Sequence, residues 1–105
     1  QTLLQVFFNV AEFGMNPQEA VEAPRFNSQA MYSSFGDHSD EPLVLQVEKR
    51  VPEAVLGELR ARGHKLIVQN DWGNSCNPTV AEFEPATGVV KAGADVRGHR
   101  YALAW

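Results

Sequence analysis

The stretch TLLQVFFNVAEFGMNPQEAVEAPRF, residues 2–26, decides the fold class because it predicts two helices in quick succession. On a helical wheel, its apolar residues up to Phe13 fill an arc of about 220°. A surface helix needs an apolar stripe of only about 100°, so we expect this helix to lie between two layers. One of the two layers that cover the helix can then belong to residues outside these 105. Gly14 is placed to end the helix, since glycine adopts the left-handed conformation without a Cβ penalty.

A second, short helix is predicted directly afterwards. Asn16 suits the N-cap, Pro17 suits the first helical position, and Glu19 can reach back to the N-cap amide. Pro24 disfavours the helical conformation of the residue before it, which ends the helix near Glu22.

The remaining sequence adds strands and one more helix. Residues 25–42 carry turn residues throughout and are predicted to form a long irregular connection. In residues 43–48, Leu43, Leu45 and Val47 alternate with Val44, Gln46 and Glu48, which predicts a strand with one buried face. Pro52 then opens a helix that Gly63 ends, and residues 65–68 form a second short strand.

Residues 79–84 and 89–94 flank the turn Pro85-Ala86-Thr87-Gly88, which predicts a β-hairpin. The chain is therefore expected to be α+β. Its 105 residues are too few for two independent cores, so we predict one domain over residues 1–105.

Composition argues against several function classes. The net charge is −4, and the nine basic residues are scattered along the chain, so no basic face predicts binding to nucleic acid or to an anionic membrane. The longest apolar stretch, around Leu3 to Phe13, is too short and too polar to span a bilayer. The single cysteine, Cys76, excludes an intrachain disulfide and a metal site built from several cysteines.

Residues 37–40, Asp-His-Ser-Asp, contain the groups of a hydrolase triad. Neighbouring side chains point apart, however, so a solvated turn is the better interpretation. His38, His64 and His99 lie on separate segments without metal-ligand spacing, and nothing local activates the thiol of Cys76. We therefore predict no catalytic residue, no metal and no cofactor on this chain.

Asp71-Trp72-Gly73-Asn74 lies between two β segments. A tryptophan that covers the edge of the core is the favoured interpretation. The alternative is that Trp72 and Gly73 border a pocket, because Trp72 offers a flat apolar surface near a loop tip and Gly73 permits unusual backbone.

Arg25 and Arg97 are flanked by apolar residues, which indicates partial burial. A buried guanidinium needs carboxylates or carbonyls for its donors. We predict that Arg25, Asp95 and Arg97 are structural anchors, with a ligand contact as the alternative.

The order of these segments resembles the C-terminal part of the gamma-glutamyltranspeptidase family. The resemblance rests on residues 2–26 quoted above, on LQVEKRVPEAVLGELRARGHKL (residues 45–66) and on TGVVKAGADVRGHRYALAW (residues 87–105). It implies an N-terminal nucleophile hydrolase with an αββα layered fold, of which this chain would supply helices on a mixed sheet and a C-terminal hairpin. It also implies a self-cleaving precursor that transfers gamma-glutamyl groups from glutathione-like donors through an N-terminal threonine.

In that family the nucleophile and the paired oxyanion glycines precede the position of Gln1, so neither is expected here. The chain begins at Gln1 inside a hydrophobic pattern, without an initiator methionine or a charged leader, which predicts missing upstream residues. Val96 stands where the family commonly has proline, and the connection 27–42 is long; both features indicate a divergent branch whose donor need not be glutathione. The resemblance favours a periplasmic or extracellular location without establishing it.

Two hypotheses follow. In the first, the chain is an inactive scaffold segment, and its partner is the rest of the parent enzyme. In the second, it is a non-catalytic interaction module that docks a partner through its first helix. Both predict self-association of the isolated chain through residues 3–13.

Overall fold

The computed structural model describes residues 1–104, which form two compact units. One unit combines Gln1–Ala23 with the chain from Ser75 onwards, and the other is Pro24–Asn74. The helices are α1 (Thr2–Ala11), α2 (Pro17–Glu22) and α3 (Glu53–Ala61), and the strands are β1 (Phe26–Ser28), β2 (Val44–Glu48), β3 (Lys65–Gln69), β4 (Thr79–Glu84) and β5 (Val89–Ala94). The α+β prediction is confirmed.

In the first unit, α2 packs on the antiparallel hairpin β4–β5, and α1 packs on α2. The predicted capping box is present: the Asn16 side chain accepts the amides of Gln18 and Glu19, and Glu19 accepts the amide of Asn16. The core is small and consists of Val6, Ala20 and Val21, with Val10, Met15 and Val80 packed against them. The hairpin has the predicted bounds.

Helix α1 leaves most of its apolar arc uncovered by the described residues. Val6 is buried, but Leu3 is 70% exposed and Phe7 is 62% exposed. The helix ends at Ala11, two residues before the predicted end at Phe13, and Gly14 takes the expected left-handed conformation with φ of +66°.

The second unit is a three-stranded sheet in the order β1-β2-β3, with α3 joining β2 to β3. β1 is antiparallel to β2, and β2 is parallel to β3, so the sheet is mixed. Val47 of the central strand and Leu56 of α3 are the buried hydrophobic residues of this unit. The predicted stop of α3 is confirmed, since Gly63 has φ of +91°.

Two predictions for this unit are wrong in part. The connection 25–42 is not irregular throughout, because Phe26–Ser28 pairs with β2. The strand predicted over 43–48 begins one residue later, and Leu43 is 53% exposed with φ of +68° instead of lying on a buried face. A central strand is covered more completely than an alternating pattern suggests, so Val47 and Glu48 are both buried.

No helix in residues 1–104 is long and apolar enough to cross a membrane. Within the same residues, His, Cys, Asp and Glu side chains form no group of three or more that could hold a metal ion. The assignment of residues 1–105 to one domain stays a prediction.

Candidate functional site

Glu48, the last residue of β2, is a completely buried carboxylate in the second unit. Its Oε2 accepts a hydrogen bond from Arg50 Nη2 at 2.8 Å and from the Arg25 amide at 3.2 Å. Its Oε1 accepts the amide of Asn74 at 3.3 Å. A buried carboxylate is tolerated when it is paired and hydrogen-bonded in this way, so Glu48 joins the chain before β1, the end of β2 and the chain after β3.

Arg50 extends this network to the surface. Its Nε donates to the carbonyl oxygen of Asp71 at 2.6 Å, and its Cζ lies 3.6 Å from the centroid of the Trp72 ring. A guanidinium over an indole face is a favourable cation–π arrangement. We name the set Glu48, Arg50 and Trp72 the Trp72 brace.

Gly73 allows a close approach within the loop that carries Trp72. A Cβ at this position would lie 2.6 Å from Cβ of Gln69, and the Gly73 amide donates to the carbonyl oxygen of Asn70 at 3.1 Å. The requirement for glycine therefore comes from crowding in a tight turn rather than from an unusual φ.

Trp72 and Gly73 line an open cleft of about 470 Å³ together with Lys49, Asn70 and Asp71. Trp72 is 44% exposed, and Arg50 does not line the cleft. The Trp72 ring thus forms part of the cleft wall, and the Arg50 guanidinium packs against that ring without lining the cleft. That Trp72 and Gly73 border a functional pocket stays a prediction.

The predicted anchors Asp95 and Arg97 form a second buried network, which lies in the first unit. Arg97 Nη1 contacts Asp95 Oδ1 at 3.0 Å, and the Arg97 amide donates to the same oxygen at 2.9 Å. The guanidinium also donates to the carbonyl oxygens of Val21 at 2.9 Å and Ala23 at 3.1 Å. These carbonyls close α2, where helices leave acceptors without intrahelical partners. The geometry is that of a helix clamp.

Arg25 is almost completely buried, and its backbone pairs with Glu48 in both directions. The Arg25 amide donates to Glu48 Oε2, and the Glu48 amide donates to the Arg25 carbonyl oxygen at 2.9 Å. The anchoring roles of Arg25, Asp95 and Arg97 stay predictions that these contacts support.

The triad-like segment 37–40 is an exposed loop. His38 Nδ1 lies 2.8 Å from the carbonyl oxygen of Ser33, and the Ser39 amide donates to Asp37 Oδ1 at 3.1 Å. Hydrogen bonds from the amide and side chain of Ser39 lower the pKa of Asp37. Cys76 is exposed.

Sequence reasoning missed Glu48, which it placed on the wet side of an alternating strand. One signal pointed to it: a partly buried Arg25 requires acceptors, and Glu48 ends the neighbouring apolar strand.

The first unit carries an apolar groove of about 420 Å³ between α1 and β4. Leu3, Val6, Phe7, Val10 and Ala11 line it from the helix, and residues 79–82 line it from the strand.

The family model for gamma-glutamyltranspeptidase matches residues 1–105. The chain belongs to this family. The resemblance inferred from its motifs is therefore confirmed, and so is the fold expected for a gamma-glutamyltranspeptidase-type N-terminal nucleophile hydrolase.

Three relatives of this gamma-glutamyltranspeptidase family member are informative. Acylase ACY 1 proenzyme of Pseudomonas sp. (strain SE83) is 41% identical over 64 residues, which is 61% of this chain and 9% of the acylase. The glutathione hydrolase-like YwrD proenzyme of Bacillus subtilis (strain 168) is 26% identical over 98% of this chain and 18% of its own length. The crystal structure of cephalosporin acylase from Bacillus halodurans superposes with a TM-score of 0.72 and 31% identity, covering 91% of this chain and 16% of the acylase.

This chain thus spans less than a fifth of the length of each of these three relatives.

Proposed function

We propose that this chain is a scaffold segment of an N-terminal nucleophile hydrolase that transfers acyl groups, and that the catalytic groups belong to other parts of the parent polypeptide. One observation carries this proposal: the family model matches residues 1–105, while the matched stretches cover only 9–18% of the relatives' lengths. Most residues of each relative therefore have no matching residue in this chain.

The buried charges support a structural role. Among residues 1–104, the buried carboxylates of Glu48 and Asp95 each have an arginine nitrogen within 3.0 Å. A general acid or base must reach substrate, whereas a buried carboxylate that is hydrogen-bonded to an arginine and to backbone amides is held in one position away from solvent.

The relatives' names support acyl transfer as the reaction class. Two are named acylases and one is named glutathione hydrolase-like, and two are named proenzymes. The parent enzyme would be processed from a precursor and would use the threonine exposed by that cleavage as its nucleophile. Its donor is a gamma-glutamyl compound or, as the acylase names favour, a related acyl amide, and its acceptor is water, an amino acid or a peptide.

The exposed face of α1 supports the same proposal. Leu3, Leu4, Phe7 and the groove beside β4 form a contiguous apolar surface of the kind that soluble proteins bury. We propose that the rest of the parent enzyme covers this surface, so that α1 acts as a brace.

An activity assay tests the scaffold role. The 105-residue chain should not release nitroaniline from gamma-glutamyl-4-nitroanilide or cleave a cephalosporin side-chain amide, whereas the longer polypeptide that contains it should cleave one of the two. Turnover by the 105-residue chain alone would overturn the proposal.

The alternative function is an interaction module that docks a partner through α1, which the same apolar face would serve. The coding sequence upstream of Gln1 separates the two functions. An internal threonine at a processing site and a paired glycine support the enzyme segment, and their absence supports the module.

Self-association of the isolated chain tests the role of α1 directly. Sedimentation velocity should show species heavier than a monomer, and Phe7→Glu should shift them to the monomer because a charge then occupies the apolar face. Phe35→Glu is the matched control, since Phe35 is an exposed phenylalanine on a loop of the other unit. A wild-type chain that is a stable monomer would contradict this role.

A further inference from the structure

A side chain closes the outer edge of β5, the second strand of the hairpin in the first unit. Gln18 Nε2, on α2, donates to the carbonyl oxygen of Ala94 at 3.0 Å, and Gln18 Oε1 accepts the amide of Ala94 at 3.1 Å. One primary amide thus satisfies both peptide groups of Ala94, as a neighbouring strand would. Gly93 permits this approach, because a Cβ there would lie 2.4 Å from the carbonyl carbon of Pro17.

These two hydrogen bonds show which peptide groups of the hairpin point outward. In an antiparallel ladder, residues alternate between pointing both peptide groups at the partner strand and pointing both away from it. Ala94 points both groups away from β4, so Ala92 and Val90 do the same. The register places the corresponding outward-pointing residues of β4 at Thr79, Ala81 and Phe83.

We name the outward peptide groups of Thr79, Ala81 and Phe83 the open edge. No hydrogen bond from elsewhere in residues 1–104 reaches these groups. An unpaired edge is a template for another strand, and a two-stranded hairpin gains stability from one. On β5, by contrast, Gln18 leaves only Val90 and Ala92, next to the turn. The open edge therefore offers the longer pairing surface.

Helix α1 extends over the space beside the open edge. The apolar groove lies between α1 and β4, and no residue of β5 lines it. Leu3 and Phe7 line it from the helix and are 70% and 62% exposed. Glu82, the charged residue of the lining, already has Lys91 Nζ at 3.8 Å. A strand paired with β4 would lie about 4.8 Å from it and enter this groove, so its side chains towards α1 must be apolar.

We propose that the sheet of the first unit is extended in one direction, with β5 as its border and a strand of the parent polypeptide paired to the open edge beneath α1. Gln18 sets this direction, because its amide occupies β5 before another strand can pair there. The parent polypeptide is the source of the strand because the matched stretches cover only 9–18% of the relatives' lengths. This inference rests on the proposed function for the existence of a longer polypeptide, and not for its activity.

A matched pair of proline variants tests the direction. Ala81 and Ala92 are register partners, and both point their N–H groups outward. Proline removes that N–H and is tolerated in a strand where no neighbour needs it. In the longer polypeptide, Ala81→Pro should lower the urea midpoint of unfolding, whereas Ala92→Pro should leave it close to the wild type. In the 105-residue chain, where neither N–H has a partner strand, the two variants should behave alike.

Hydrogen exchange in the longer polypeptide tests the pairing itself. The amides of the open edge should exchange at least about tenfold more slowly than those of Val90 and Ala92, because hydrogen-bonded amides are protected. Gln18→Met keeps the length of the side chain and removes both of its bonds to Ala94, so the Ala94 amide should exchange about tenfold faster. Glu22→Ala is the control, since it removes the other partner of Gln18 Nε2 and should leave Ala94 protected.

Three results would overturn the proposal. The first is an Ala92→Pro variant of the longer polypeptide that loses as much stability as Ala81→Pro, or more. The second is an open edge whose amides exchange as fast as those of Val90 and Ala92. The third is an Ala94 amide that Gln18→Met leaves protected. A longer polypeptide without acyl-transfer activity would contradict the proposed function and leave these three comparisons as they are.

Discussion

In each of the two units, a buried carboxylate forms an ion pair with an arginine, Asp95 with Arg97 and Glu48 with Arg50, and the two arginines differ in their other contacts. In the first unit, Arg97 is as buried as Asp95, and its other donors hold the carbonyls of Val21 and Ala23 at the end of α2. In the second, the Arg50 side chain is 24% exposed, and its guanidinium lies against a tryptophan that is itself half-exposed.

The difference favours an anchoring role inside the unit for Arg97 and a role at the surface for Arg50. The contacts of the Arg97 guanidinium described above join Asp95 to the end of α2 inside the first unit, so its loss is expected to reduce stability. The Trp72 brace begins at a buried carboxylate and ends at the lining of a cleft, so its loss changes the position of an exposed ring as well. A buried ion pair adds little net stability over an apolar substitute, but removing one partner leaves the other charge uncompensated.

Arg97→Ala should have the largest effect on stability. It leaves the buried Asp95 carboxylate without its cation and two helix carbonyls without their donor, which costs about 3–5 kcal/mol. Urea unfolding followed by circular dichroism measures this loss. Arg100→Ala, at an exposed arginine nearby in sequence, should stay within about 0.5 kcal/mol of the wild type. Equal effects of the two variants would show that no clamp exists.

Glu48→Gln should reduce stability less than Arg97→Ala does, and it should also change the environment of the exposed Trp72 ring. The amide keeps the shape but loses the charged hydrogen bonds to Arg50, and the partly exposed Arg50 can regain water, so about 2–3 kcal/mol is expected. In a Trp105→Phe background, the emission of Trp72 should shift as its ring is released. Glu53→Gln, on the exposed start of α3, should change neither quantity. An unshifted emission spectrum would show that the position of the Trp72 ring does not depend on the Glu48 carboxylate.

Two glycines, one in each unit, differ in the space available for a side chain. A Cβ at Gly93 would lie 2.4 Å from the carbonyl carbon of Pro17, where β5 packs against the start of α2, so Gly93→Ala should destabilise the chain by about 1–3 kcal/mol. Gly57 lies inside α3 with open space around it, so Gly57→Ala should stabilise the chain by about 0.5–1 kcal/mol. Thermal unfolding of both variants measures these changes, and a neutral Gly93→Ala would mean that the hairpin and α2 can move apart without loss.

Elements with local signals could be predicted from the sequence. The N-cap of α2 needs only Asn16, Pro17 and Glu19, and the hairpin needs two β-rich runs and a turn that ends in Gly88, whose φ is +71°. These signals act over a few residues, so no knowledge of the tertiary structure is required.

Features that arise from strand pairing could not be predicted. The three residues of β1 form a strand because β2 lies beside them, and their own composition resembles a loop. The Trp72 brace depends on the parallel register that places Glu48 opposite Gln69, because this register brings the loop after β3 next to the end of β2. Trp72 and Gly73 could therefore be foreseen as neighbours in the chain, whereas Glu48 and Arg50 could not be connected to them.

Asp37 provides an exposed carboxylate for comparison with the two buried ones, and the smallest expected effect. The amide of Ser39, and secondarily its side chain, lower the pKa of Asp37 in the folded state. A group whose pKa is lower when folded stabilises the protein above its unfolded-state pKa, and this contribution disappears as the pH falls through the folded-state value. Ser39→Ala should raise the pKa of Asp37 only part of the way to its ordinary value, because the amide still donates. NMR titration of the Asp37 carboxyl measures this pKa, with Ser34→Ala as the control. A complete return to the ordinary value would show that the hydroxyl, not the amide, holds the charge, whereas no change would show that the amide acts alone.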